Sequence, residues 1–129
     1  MPQDAVAESL ERLAERVADP APLAYGRLFE RHPETEALFL MDRGGHVRGQ
    51  MLAVAFEALL DPGRGGRLAG LLGAERMNHV NIGVPPGVFD GFFALLMEAV
   101  RDALGPEWTS ATEAAWRARI AALGIEAHA

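Results

Sequence analysis

The chain has 129 residues, half of them apolar, a size and composition that fit one compact domain with a hydrophobic core and argue against a second. Its 18 acidic and 12 basic side chains leave a net charge of −6, which repels phosphate backbones and anionic headgroups, so neither nucleic acid nor a membrane surface is expected as a partner. No cysteine occurs, which removes disulfides, thiolate metal sites and cysteine nucleophiles.

The start, Met1-Pro2-Gln3-Asp4, lacks the basic and apolar stretches of a leader, and apolar runs such as Met51 to Phe56 are too short to span a bilayer, so a cytoplasmic protein is expected. From there on, apolar positions recur every three or four residues and no useful stretch alternates in twos, which predicts an all-helical domain. The first helix puts Val6, Leu10, Leu13 and Val17 on one stripe, pairs Glu8 with Arg12 on the wet side, and stops before Asp19-Pro20. Asp19 then caps a second helix with Pro22 in its first turn and Tyr25, Leu28, Phe29 and His32 on one face.

Pro33 redirects the chain into a short helical turn from Glu34 to Phe39, followed by Asp42-Arg43-Gly44-Gly45, where paired glycines predict a flexible loop. A helix starting near His46 or Val47 carries Gln50, Val54 and Ala58 on one side and ends at the breaker run 61–66. The next helix places Leu68, Leu72 and His79 on one face. A turn at Gly83-Val84-Pro85-Pro86 separates it from the strongest amphipathic pattern, Phe89, Phe92, Phe93, Leu96, Met97, Val100 and Leu104, the mark of a central core helix. Gly105-Pro106 ends that helix. Ser110 with Glu113 forms a capping-box signature for the last one, which turns Trp116, Ile120 and Leu123 inward.

The segment Asn78-His79-Val80-Asn81-Ile82-Gly83-Val84-Pro85-Pro86, followed by Phe89, resembles the proximal-histidine segment of bacterial haemoglobins. Upstream, Ala24-Tyr25-Gly26-Arg27-Leu28-Phe29 and Pro33-Glu34 to Leu38-Phe39 resemble the distal half of the same family, the Vitreoscilla-type haemoglobins and the globin domain of flavohaemoglobins. Downstream, Leu104-Gly105, Trp108-Thr109 and Trp116 resemble its closing helix, so the likeness runs from about Leu23 to Leu123. It implies that residues 1–129 form a single globin domain, a three-over-three helical sandwich around haem b (iron protoporphyrin IX).

Position by position, the resemblance implies that His79 ligates the iron through an imidazole nitrogen and that Tyr25 donates a hydrogen bond to the bound gas. A histidine on an apolar helix face also suits a hydrogen-bonded core residue, and a tyrosine there suits plain helix packing. Phe39 corresponds to the aromatic that packs flat on the porphyrin, with Val54, Val84, Phe89 and Phe93 as further cofactor contacts. Gln50 is the choice for the second distal donor, one turn before Val54, with Gly49 or His46 as alternatives because the preceding loop is one residue longer than in relatives. His46 is also a candidate sixth ligand.

Phe89 stands where flavohaemoglobin-type domains place a tyrosine, and their proximal glutamate falls beyond the end of this chain, so a weaker push of electron density onto iron is expected. Three functions remain open. They are reversible binding of oxygen, nitric oxide or carbon monoxide, a nitric oxide dioxygenase served by an external reductase, and a sensor or interaction subunit without haem. Paired-carboxylate, phosphate-loop and di-iron readings lack their spacings; Glu75 stands four residues before His79, where a di-iron motif needs three.

Overall fold

A carboxylate opens the first helix. Asp4 accepts the N–H groups of Val6 and Ala7 at 3.1 and 3.3 Å, satisfying two of the donors that every helix start leaves without an internal partner. The computed structural model describes residues 4–60, 77, 79, 81, 84 and 86–123, and among them the regular structure is all helical. The elements are α1 (Ala5–Arg16), α2 (Ala21–Arg31), a 3-10 helix (Pro33–Phe39), α3 (His46–Leu60), α4 (Pro86–Leu104), a 3-10 turn (Gly105–Glu107) and α5 (Ser110–Ala122). No helix among the described residues is long and apolar enough to cross a membrane.

α4 is the hub, packed against α1, α2 and α5. Its stripe does what the spacing predicts: Phe93, Leu96, Met97, Val100 and Leu104 are all buried. In α1, Val6 and Leu13 are buried and Leu10 packs against the same core, while Glu8 and Arg12 pair at 2.8 Å outside. In α5, Trp116 and Ile120 are buried, and Leu123 is half-buried beside them.

Three local expectations shift. Pro20 occupies the α2 cap position, and Asp19 acts from one residue earlier, accepting the Ala21 N–H at 3.1 Å. His32 is not an inward residue: it ends α2, half-exposed beside Glu34. The cap of α5 is Thr109 rather than Ser110, and it accepts the Thr112 N–H at 3.1 Å. Glu113 instead accepts the Trp108 indole N–H at 3.3 Å, because the extended backbone at Trp108 brings that ring over the first turn.

The loop expected after Phe39 is an ordered turn. Gly45 adopts φ +72, which glycine takes at little cost, and the Asp42 carboxylate accepts the N–H groups of Val47 and Arg48 at 3.0 Å each, anchoring the start of α3. Gly105, at φ +56, gives the sharp stop after α4.

Guanidinium groups from remote helices finish two helix ends. Arg16 on α1 reaches the carbonyls of Ala103 and Leu104, and Arg119 on α5 reaches the Leu59 carbonyl while bonding Asp4 at 2.9 Å. Both place a cation where the last carbonyls of a helix concentrate partial negative charge. Outside the walls of α2 and α4, Arg27 and Arg31 pair with Glu98, and Arg27 with Asp102. Leu68 and Leu72 lie outside the described residues, as do the neighbours of His79 at 78 and 80.

Candidate functional site

Rings of α2, the 3-10 helix and α4, together with side chains of α3, surround a space that they do not fill. What remains is a cavity of about 260 Å³ with nearly all-apolar walls. That is just under the usual size of small-molecule pockets, roughly 300–1,000 Å³. Its lining includes Tyr25, Phe39, Gln50, Val54, His79, Val84, Phe89 and Phe93. Eight residues proposed from sequence, drawn from five parts of the chain, therefore share one cavity wall.

Tyr25 is 2% exposed and boxed in by rings, with Phe92 at 5.3 Å, Phe39 at 5.5 Å and Phe29 at 6.3 Å between centroids. Its hydroxyl makes no hydrogen bond among the described residues. Burial pushes the phenol's pKa far above its ordinary value, the charge of Arg48 offsetting this in part and that of Asp42 adding to it. The group is thus a neutral O–H donor throughout the physiological range. The hydroxyl is accessible from the cavity, so a ligand held there can accept its hydrogen bond.

Phe39 closes the wall beside Tyr25, meeting it edge-on with 62° between the ring planes. The guanidinium of Arg48 lies over the ring, 5.9 Å from its centroid. Burial opposes ionisation of Asp42, yet hydrogen bonds from the Val47 and Arg48 backbone and from the Arg48 side chain outweigh it and hold the carboxyl below its ordinary pKa.

Across the cavity wall, His79 sits in helical backbone, half-buried, with its ring 5.0 Å from that of Phe89. Its carbonyl accepts the Val84 N–H at 2.8 Å, which folds Val84 back onto the same wall. Val84 and Phe93 are buried, whereas Val54 is 38% exposed and Gln50 is exposed, so α3 forms the rim more than the floor.

Neither alternative to Gln50 lines the cavity: Gly49 is exposed with open space where a Cβ would stand, and His46 is exposed at the start of α3, outside the lining. Sequence reasoning passed over Thr35, Met51 and Val88, which also line it, and assigned Phe92 only to the core stripe. Phe92 carried a usable signal, since it widens the apolar stripe of α4 beyond what one neighbouring helix covers, and a stripe this wide presents one edge to something else. Thr35 carried none, its hydroxyl being turned to the His32 carbonyl at 2.7 Å.

Set beside known proteins, residues 23–125 match the family model for globins, a stretch that covers most of the chain. No curated protein and no solved structure matches.

Proposed function

Since the chain belongs to the globin family, we propose that it is a single-domain haem protein of the bacterial type that reversibly binds oxygen or another diatomic gas. The observation that carries this reading is the Tyr25 phenol, 2% exposed and without a hydrogen bond among the described residues, on the wall of an apolar cavity that His79 also lines. The residues present fit a haem. Apolar walls suit a porphyrin, whose burial contributes about 25 cal/mol per Å², and one imidazole on the wall supplies the nitrogen donor that iron takes.

His79 would hold the iron, and Phe39, Val54, Val84, Phe89 and Phe93 would exclude water from the porphyrin faces. When bound, the haem supplies a ferrous iron that takes a diatomic gas. Tyr25, its proton kept on Oη, would offer that proton in a hydrogen bond to a diatomic gas held in the cavity. A bond of that charge-assisted kind contributes about 1.5–3 kcal/mol, which corresponds to roughly one to two orders of magnitude in affinity. Gln50, at the rim, is the second donor in this reading and the weaker one, because its exposure leaves water as a competitor.

Absorption spectra of the purified protein, oxidised, reduced and with carbon monoxide, test the reading. The expected result is a haem spectrum that shifts with reduction and gas, and that His79→Ala loses. A colourless protein that takes up no added haemin overturns it and selects a haem-free interaction subunit. Within a haem-bearing protein, Tyr25→Phe is expected to release oxygen at least several-fold faster in stopped-flow measurement. An unchanged rate removes Tyr25 from the donor role.

A further inference from the structure

One carboxylate and one guanidinium tie the turn between Phe39 and α3. Asp42 is 9% exposed; its Oδ1 accepts the Val47 N–H, and its Oδ2 accepts both the backbone N–H and the Nε–H of Arg48, each at 3.0 Å. Arg48 returns a bond from its Nη2 to the Asp42 carbonyl at 2.9 Å. Gly45 passes under this guanidinium, where a side chain's Cβ would lie 3.6 Å from Nη2. Starting a helix needs only the two backbone contacts to the carboxylate. The guanidinium is surplus to that role, and it lies over the Phe39 ring within cation–π reach. Phe39 in turn bears edge-on against Tyr25, and both face the cavity.

We propose that Asp42 and Arg48 form a latch at the rim of the cavity that fixes the Phe39 ring against Tyr25, which makes them positioning residues for the group the cavity holds. The geometry stands by itself, and only its consequence for haem rests on the function proposed above. A planar guanidinium is suited to such a latch because it bonds the carboxylate through one edge while its face covers the ring, which a lysine cannot do.

Tyr25 is the chain's single tyrosine, so fluorotyrosine incorporation puts one fluorine label at the end of this series of contacts. Arg48→Gln keeps both backbone bonds to Asp42 and removes the guanidinium. The expected result is a displaced or broadened Tyr25 fluorine resonance in a protein of unchanged helicity. Haemin should also pass to an acceptor apoprotein roughly two- to fivefold faster, the factor equivalent to about 0.5–1 kcal/mol of cation–π contact. Arg48→Lys, with its charge kept and its fork lost, should give an intermediate displacement, and it serves as the test should Arg48→Gln not fold.

An unmoved resonance in either folded variant overturns the latch, because a Phe39 ring released from the guanidinium changes the surroundings of Tyr25. In a Phe39→Leu background Arg48→Lys, which keeps the charge that acts directly on Tyr25, should move the resonance no further; an equal displacement there also overturns it. A wild-type protein that takes up no haemin defeats the functional reading, while the fluorine result still decides the latch.

Discussion

The two ends of the helical assembly treat a buried aromatic polar group in opposite ways. At the end formed by α1, α4 and α5, Trp116 is fully buried and its indole N–H donates to Ser9 Oγ at 2.9 Å, which itself donates to the Val6 carbonyl at 2.7 Å. Each donor in that run has a partner, and the Trp108 ring lies 6.0 Å from that of Trp116. At the end formed by α2, α3 and α4, Tyr25 is almost as deeply buried, yet its hydroxyl has no such partner and faces a cavity. The sealed end is built for stability, with its buried donors matched. The open end leaves both volume and a donor uncommitted, which is how a protein keeps a place for something it does not itself contain.

The largest expected effect lies at the sealed end. Trp116→Ala should lower unfolding stability by about 3–5 kcal/mol in urea titration, a large share of the roughly 5–15 kcal/mol typical of a domain. A loss of less than about 1 kcal/mol would mean that this end is not the anchor. Next comes Ser9→Ala, which strands the Trp116 N–H and should cost about 1–3 kcal/mol.

Tyr25→Phe should do the reverse at the open end. In the haem-free protein it removes a hydroxyl that makes no hydrogen bond among the described residues, so stability should hold or rise by up to about 1 kcal/mol. A loss as large as that of Ser9→Ala would erase the contrast between the two ends.

The smallest effect concerns the charges outside the cavity walls. The Arg31 guanidinium, with that of Arg27 beside it, holds the Glu98 carboxyl below its ordinary pKa, and Arg27 does the same to Asp102. A carboxyl whose pKa is lower folded than unfolded contributes stability that is complete above the unfolded value, about 4, and is lost as pH falls through the folded one. Urea stability should therefore stay level from neutral pH to about 5 and drop below about 4. Glu98→Gln should make that drop shallower and cost only about 0.2–1 kcal/mol at neutral pH, the usual worth of exposed ion pairs. An acid profile unchanged by the substitution would show that these pairs do not brace α2 against α4.

Much of this architecture was legible from spacing. The stripe from Phe93 to Leu104 and the inward set of Trp116 and Ile120 follow from a helical period, because burial on one face is a local property of sequence. The cavity residues were reached differently: Tyr25, Phe39 and His79 came from resemblance to a family, and periodicity alone would have returned them to the core. His32 shows the limit of periodicity, since it extends the α2 face by count but falls where the backbone leaves the helix. Asp42 shows the limit of composition, since paired glycines read as a flexible loop while one carboxylate orders the turn.

By itself, then, the sequence determined where the described helices fall and which stripes α1, α4 and α5 bury, because hydrophobic period, prolines and capping residues act within a few positions, whereas α3 buries Leu52, Ala55, Ala58 and Leu59 rather than the side with Gln50 and Val54. Tertiary structure alone decided that Arg16 and Arg119 would complete the ends of other helices, that Arg48 would lie across Phe39, and that four elements would meet without filling the space between them. Those outcomes depend on the volumes and angles of side chains far apart in the chain, and no local pattern encodes whether rings from three helices interlock or leave a gap.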